Sequence, residues 1–174
     1  MRDEAAFVEF AEAARGRLRR TAYLMCGDWD QASDHVQEGL IRVYVAWPRL
    51  TRAGREYAYA RKAVVSAFLD HSRRRSSTEV PTEHDGDVSS GQDVAESVAL
   101  RSALMSALAG LPQRQRACVV LRYFDDLSVA DTASALGCSE GTVKSQTSRA
   151  LDSLRSTFDG SPVGSLAIEG ISSW

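Results

Sequence analysis

Four polar side chains between positions 144 and 149 combine positive charge with hydroxyl groups: Lys144, Ser145, Ser148 and Arg149. On a helix these positions share one face, because residues three and four apart lie one above the other. Cationic and hydroxyl side chains contact DNA phosphates and the edges of bases. The pattern therefore predicts a DNA-binding helix; the alternative is a polar face that is only solvated.

The residues around this helix have the spacing of a helix-turn-helix motif. A first helix is predicted over residues 128–136, Gly137 follows where a left-handed residue ends a helix at least cost, and Ser139 can cap the second helix. The second helix places its small and apolar side chains opposite the basic face: Val143, Thr147, Ala150, Leu151 and Leu154. In such motifs the second helix lies in the DNA major groove. Residues 141–154 would span about 21 Å at roughly 1.5 Å per residue, enough for one groove crossing.

The rest of the sequence contains no group of residues with the types and spacing of a catalytic or metal-binding site. The histidines are scattered, no glycine-rich phosphate loop is present, and no nucleophile stands at a catalytic spacing from a base. The cysteines lie far apart, without metal-ligand spacing, and are expected to be buried apolar residues: Cys26, Cys118 and Cys138. We therefore expect neither an enzyme nor a protein with a cofactor or a metal.

The composition limits the kind of protein further. A chain of 174 residues with 44% hydrophobic and 25% charged residues is typical of a globular protein with one ordinary domain or two small ones. Its apolar runs are too short for a membrane span or a signal peptide, which predicts a cytoplasmic protein without membrane insertion. The net charge is −2, whereas a protein that held DNA alone through many phosphates would usually be basic. If this chain binds DNA, a partner is expected to supply much of the attraction.

Apolar residues recur at steps of three and four along most of the chain, which predicts an all-α fold. A first helix is expected over about residues 3–26. A second helix is capped by Asp28 or Asp30 and ends at Pro48, and a third covers about residues 56–74. These three helices would form one small bundle.

A change of composition separates this bundle from the helix-turn-helix. Between positions 76 and 99 the chain carries six acidic residues and no Lys or Arg, which favours a flexible acidic linker between two small helical domains. The linker is either a plain solvated tether or a strand-like tether that occupies a basic channel of a partner. After it, a fourth helix is expected to end before Pro112, which then opens a fifth. The predicted parts are a first domain (1–75), the linker (76–95), a second domain (96–158) and a C-terminal tail (159–174).

Three segments, in this order, resemble the bacterial extracytoplasmic-function (ECF) sigma factors of the sigma-70 family, and most closely a SigE-like group from actinobacteria. They are QASDHVQEGLIRVYVAWPRL (31–50), AYARKAVVSAFLDHSRRR (58–75) and LPQRQRACVVLRYFDDLSVADTASALGCSEGTVKSQTSRAL (111–151). The resemblance implies a transcription initiation factor that binds core RNA polymerase and directs it to promoter DNA by reading the −35 and −10 elements.

The first of these segments resembles the helix that binds the coiled coil of the polymerase β′ subunit. Opposite its predicted buried stripe, carboxylates stand beside exposed apolar side chains, which suits docking to a basic and partly apolar partner helix. The predicted polymerase contacts are Asp34, Gln37, Glu38 and Ile41.

The second segment resembles the helix that melts and reads the −10 element. Its predicted −10 contacts are Arg61, Lys62, Ser66, Arg73, Arg74 and Arg75. Ser66 stands where the family commonly has Asn, and a single hydroxyl offers a flipped base fewer hydrogen bonds than an amide does. The −10 preference is therefore expected to be altered or relaxed.

The third segment resembles the domain that reads the −35 element and meets the polymerase β flap. The resemblance implies that the four polar side chains named first contact bases or phosphates there, and it allows for an anti-sigma protein that restrains the factor. A competing hypothesis is a stand-alone helix-turn-helix regulator, which would bind intact duplex DNA without polymerase. The tail is either a free end or a segment that docks onto a domain or a regulator.

Overall fold

The computed structural model describes residues 4–76 and 92–158 of the chain. Regular structure in these two stretches is helical throughout, which confirms the predicted all-α fold. The helices are α1 (Glu4–Cys26), α2 (Trp29–Leu50), α3 (Glu56–Ser76), α4 (Gln92–Ala109), α5 (Gln113–Val119), α6 (Val129–Leu136) and α7 (Glu140–Phe158). Most of the predicted linker and the whole predicted tail lie outside the described residues, so the expectations for them stay predictions.

Helices α1, α2 and α3 form the first bundle, around an apolar core. Leu18, Val43 and Val64, one from each helix, are almost fully buried there. The Trp47 ring closes one end, packed edge to face against Phe7 with 5.3 Å between the ring centroids. The periodic apolar positions of the sequence supply this core, which confirms the predicted three-helix bundle.

The start of α2 is set by Asp28. Its Oδ1 accepts hydrogen bonds from the backbone N–H groups of Asp30 (2.8 Å) and Gln31 (2.9 Å). These bonds satisfy two of the donors that a helix leaves unpaired at its first turn. Of the two candidate caps in the sequence, Asp28 and Asp30, Asp28 is the one that caps α2.

The end of α2 differs from the prediction. The helix does not stop at Pro48 but runs to Leu50 and continues into a 3₁₀ turn, Thr51–Ala53. Pro48 is exposed in the last turn, where its missing N–H removes a single bond. The backbone N–H and the hydroxyl of Thr51 both reach the Trp47 carbonyl oxygen, so the turn closes without a donor from the proline.

Helices α2 and α3 are in close contact at Gly39. A Cβ atom placed there would lie 2.7 Å from Val64 Cγ2 and 3.2 Å from the Val64 backbone nitrogen. Because valine is stiff at χ1 and the nitrogen belongs to the backbone, neither atom can move aside without shifting α3. Gly39 is therefore needed for the spacing of the two helices that carry the predicted −10 and polymerase contacts.

We expect Gly39→Ala to lower the free energy of unfolding by about 1–2 kcal/mol, because overpacking outweighs the gain in helix propensity. Urea unfolding of the full chain measures this. Gly16→Ala is the matched control, because a Cβ at that helical glycine meets nothing within 4 Å. The free energy of unfolding of Gly16→Ala should instead rise by up to about 1 kcal/mol, because alanine has the higher helix propensity. Equal stability of the two variants would contradict the close approach.

Helices α4–α7 form the second bundle. Leu108 and Leu154 are almost fully buried in its core, together with Val119. The regular turns of α5 end at Val119, and a wider π-helical turn follows, Val120–Phe124. Helix α4 begins at Gln92, inside the stretch predicted as linker.

The two bundles pack against each other, with α1 and α3 facing α5 and α6. Met25 and Phe68 of the first bundle are buried beside Leu121 and Leu136 of the second. Arg116 of α5 donates a hydrogen bond of 2.7 Å to the Met25 carbonyl oxygen at the end of α1. The apolar spacing of α3 predicts that Phe68 is buried, but helical periodicity cannot say against which element a residue is buried.

Candidate nucleic-acid and polymerase interfaces

Two side-chain caps and a glycine delimit α6 and α7: Ser128 caps the start of α6, Gly137 ends α6, and Ser139 caps the start of α7. Ser128 Oγ accepts the Asp131 N–H at 3.0 Å, and Ser139 Oγ accepts the Thr142 N–H at 3.1 Å. Gly137 ends α6 with φ 63° and ψ 42°, the left-handed conformation that glycine adopts at least cost. These local signals confirm the predicted turn and set the direction of α7.

The side chains predicted to contact the −35 element lie together on the exposed face of α7: Lys144, Ser145, Ser148 and Arg149. The opposite face is buried through Val143, Thr147 and Ala150. Ser145 Oγ donates to the Thr142 carbonyl oxygen at 3.0 Å, which leaves the Ser145 oxygen as an acceptor for a donor outside the protein. Helix α7 thus presents two cations and two hydroxyls from a rigid support.

A groove runs beside α7 and adds side chains that the sequence reasoning missed. It is lined by Lys144 and Ser148 together with Arg122, Tyr123 and Arg155. Arg122 is held by a hydrogen bond to the Leu127 carbonyl oxygen, and Arg155 pairs with Asp152 at 3.2 Å. Arg122 and Tyr123 belong to the π-helical turn, so the periodicity of α7 alone could not have placed them here.

The predicted polymerase contacts are all exposed on α2: Asp34, Gln37, Glu38 and Ile41. The Ile41 residue is 58% exposed and Val45, one turn further, is 65% exposed. Glu38 forms an ion pair with Arg42 of the next turn. The face is therefore an apolar patch with carboxylates at its rim, as the sequence predicted.

An apolar groove between α1 and α2 continues this patch. Gln37 and Ile41 share its lining with eight further side chains of the two helices: Phe7, Ala11, Arg15, Arg19, Ser33, Val36, Leu40 and Tyr44. The apolar periodicity of α1 predicts only a role in the core, and its part in this surface was not predicted. The available signal on α1 was a stripe at steps of four: Phe7, Ala11, Arg15 and Arg19.

The predicted −10 contacts on α3 fall into two groups. The first group is exposed and contains Lys62, Arg73 and Arg74. Ser66 is half-buried, with its Oγ 3.5 Å from Asp70 Oδ2. Arg75 lies in the last turn of α3, and its side chain is outside the described part of the structure.

Arg61 forms the second group. Its side chain is only 12% exposed, and its Nη1 atom lies 4.0 Å from Oδ2 of Asp125 in the second bundle. The guanidinium also packs over the Tyr57 ring, 5.2 Å from the centroid. In this arrangement the second bundle covers Arg61, and the structure does not bring it to the same surface as the other −10 candidates.

Two histidines and three cysteines are the other candidate reactive side chains in the described stretches. His35 is buried with its ring centroid 5.4 Å from that of His71, and burial, aided by the neighbouring His71, lowers the pKa of His35. Of the cysteines expected to be buried, Cys118 is buried, whereas Cys26 and Cys138 are half-buried. Within residues 4–76 and 92–158, no group of three or more His, Cys, Asp or Glu side chains could hold a metal ion. None of the described helices has the length and apolar character needed to cross a membrane.

Two family models match the chain, and their boundaries follow the two bundles. Sigma-70 region 2 matches residues 10–78, which contain most of α1 and all of α2 and α3. Sigma-70, region 4 matches residues 101–154, which contain the helix-turn-helix.

Individual sigma factors are similar to this chain over a length that includes both matched regions. The RNA polymerase sigma-E factor of Streptomyces avermitilis is 36% identical over 94% of this chain and 90% of its own length. The RNA polymerase sigma-E factor of Streptomyces coelicolor is 35% identical over 94% of this chain and 92% of its own length. The sigma factor RpoE of Bartonella quintana, solved in complex with the anti-sigma factor NepR, shares the fold with a TM-score of 0.71 at 22% identity, over 90% of this chain and 98% of that one. The chain therefore belongs to the sigma-70 family, among the ECF RNA polymerase sigma factors, and is a transcription initiation factor.

Proposed function

We propose that the exposed face of α7 reads the promoter −35 element, that α3 captures the −10 element, and that the exposed face of α2 holds the chain on core RNA polymerase. Family membership makes the protein a transcription initiation factor. We assign promoter recognition and polymerase binding to particular residues of these three helices. The observation that carries this assignment is the α7 face, where cations and hydroxyls project from a helix whose opposite side is packed into a helix-turn-helix.

At the −35 element, side chains of α7 bind phosphates, which positions the helix on the DNA, and contact base edges, which reads the sequence. Lys144 and Arg149 can each bind a phosphate or the O6 and N7 acceptors of a guanine in the major groove. The hydroxyls of Ser145 and Ser148 lie between them and suit either base edges or phosphates. These side chains stand in the N-terminal half of α7, the part of a recognition helix that contacts bases.

For the −10 element, the basic side chains of α3 follow the phosphate backbone while Ser66 faces an unpaired base. The proposed phosphate contacts are Arg61, Lys62, Arg73, Arg74 and Arg75. Ser66 already shares its hydroxyl with Asp70, which further limits the hydrogen bonds it can offer to a base. We therefore propose a relaxed −10 preference.

For the polymerase, the α2 face docks on the β′ coiled coil and the second bundle meets the β flap. Carboxylates at the rim of an exposed apolar patch suit a basic and partly apolar partner. This also accounts for the net charge of −2, because polymerase then supplies most of the electrostatic attraction to DNA. The working units proposed are a polymerase and −10 domain (1–75), a linker (76–95), a −35 domain (96–158) and a tail (159–174).

Two further assignments complete the proposal. We place the protein in the cytoplasm, where it selects promoters for the polymerase without itself catalysing a reaction. We also propose that an anti-sigma protein can restrain it, as NepR binds RpoE in the Bartonella quintana complex.

Transcription by purified core polymerase with and without this protein tests the proposal. The RNA 5′ ends made on genomic DNA should cluster downstream of shared −35 and −10 sequences only when the protein is present. Stable, sequence-specific binding of the isolated protein to duplex DNA, without effect on polymerase, would favour the stand-alone regulator instead.

A further inference from the structure

A cluster of polar side chains joins the two bundles at the centre of their contact. Asp125, from the turn that follows α5, is buried against α1 and α3 of the first bundle. Thr21 Oγ1 of α1 donates a hydrogen bond of 2.8 Å to Asp125 Oδ1. Arg61 Nη1 of α3 lies 4.0 Å from Asp125 Oδ2, and Arg17 Nη2 of α1 donates to the Asp125 carbonyl oxygen at 3.4 Å.

The first bundle's side of this cluster has the composition of an anion-binding site. Two guanidinium groups, Arg17 and Arg61, sit over the same Tyr57 ring, 5.3 and 5.2 Å from its centroid. The Thr21 hydroxyl, which donates to Asp125 Oδ1, is a third donor. Guanidinium groups and hydroxyls are the donors that proteins use for phosphate oxygens. The carboxylate that fills this site in the structure comes from the second bundle.

The carboxylate occupies the site at an energetic cost. Burial raises the pKa of Asp125 above its ordinary value, although the Thr21 hydrogen bond and the arginines oppose this shift. The ionised side chain is therefore less well stabilised here than in water. An anion that reaches the same donors from the solvent, after the bundles have separated, does not require burial of a carboxylate.

We propose that Arg17, Thr21 and Arg61 form a binding site for a nucleic-acid phosphate, which Asp125 occupies while the bundles are packed together and a phosphate of the −10 strand occupies once they separate. This rests on the proposed role of α3 at the −10 element, and it adds two residues of α1 to that role. The second bundle then acts as a gate, because the phosphate cannot enter until Asp125 leaves.

The variant Asp125→Lys tests the gate in the full chain. A lysine placed against Arg17 and Arg61 repels them when the bundles are packed, whereas it is solvated when they are apart. Asp126→Lys is the matched control, because Asp126 is the exposed neighbour and the charge change is identical. Small-angle X-ray scattering should show a larger radius of gyration for Asp125→Lys than for Asp126→Lys.

The same two variants should differ in binding a fluorescent single-stranded DNA of mixed sequence. Asp125→Lys should bind about tenfold more tightly than Asp126→Lys, since opening raises the fraction of binding-competent chains. Equal affinities and equal radii would overturn the gate. Inorganic phosphate at equal ionic strength should not displace the oligonucleotide, and displacement would overturn the assignment to nucleic acid.

The ligand role of Arg17 has its own test in the opened chain. Adding Arg17→Ala to Asp125→Lys should remove most of the gain in oligonucleotide affinity. Adding Arg15→Ala to Asp125→Lys should leave the gain in oligonucleotide affinity unchanged, because Arg15 lines the groove between α1 and α2, on the other side of α1. Equal effects of the two alanine substitutions would overturn the site.

Transcription by the complete polymerase separates failure of this inference from failure of the proposed function. If Arg61→Ala lowers transcription from a −10-dependent promoter while Asp125→Lys changes neither size nor DNA affinity, only the gated site is wrong. If Asp125→Lys opens the chain and increases DNA binding while Arg61→Ala leaves transcription unchanged, the proposed −10 role of Arg61 is wrong.

Discussion

Replacing Asp34 with arginine is expected to abolish capture of core RNA polymerase by this chain. Asp34 is exposed on α2, in line with Glu38 and the apolar side chain of Ile41. On a basic partner surface, the substitution turns an attractive contact into a repulsion between like charges. Such a juxtaposition across an interface costs several kcal/mol, enough to remove a typical transient complex.

A pull-down with tagged core polymerase measures this effect. Glu9→Arg is the control, because Glu9 is exposed on α1, two positions after Phe7 and so away from the groove face. Thermal unfolding should be similar for the two variants, so that a loss of binding reports the surface and not the fold. Polymerase capture retained by Asp34→Arg would reject the α2 face as the docking site.

The features that the sequence predicted best are those set by neighbouring residues. The turn between α6 and α7 depends on Gly137 and Ser139, each acting within three or four positions along the chain. The same holds for Asp28 at the start of α2. Caps and left-handed glycines act through the local backbone, so their effect can be read without knowing the rest of the fold.

The features that could not be predicted depend on contacts between distant parts of the chain. Periodicity showed that Phe68 is buried but could not show that Leu121 lies beside it. The positive charge of Arg61 predicted an exposed DNA contact, yet Asp125, 64 positions away, covers it. Only the tertiary arrangement identifies such pairs, because neither residue type nor local spacing specifies the partner. The predicted end of α2 at Pro48 is wrong for another reason, because a helix tolerates proline in an exposed last turn.

The packed arrangement leaves some proposed interfaces accessible and covers another. The polymerase face of α2 and the −35 face of α7 are exposed, whereas Arg61 of α3 is covered. Polymerase docking through α2 therefore does not require the bundles to separate first. If the gate acts as proposed, −10 capture follows docking, and the free protein is kept from binding single-stranded DNA unproductively.

Replacing Arg149 with alanine should weaken promoter binding by the complete polymerase by about 1–3 kcal/mol, the scale of one bidentate contact between arginine and guanine. Arg149 is exposed on α7, so its removal leaves the core of the second bundle intact. The loss is expected in transcription and in promoter occupancy alike, because the contact helps to hold the polymerase at the −35 element.

Arg114→Ala is the control for this loss, because it removes the same charge from an exposed position on α5. A uniform electrostatic effect would weaken both variants on every promoter, with a similar reduction in salt dependence. A base-reading role predicts instead that the Arg149→Ala defect disappears on a promoter whose −35 sequence has been scrambled, since the contact is already lost there. Unchanged promoter occupancy by Arg149→Ala, or a defect that persists after scrambling, would remove Arg149 from the proposed base contacts.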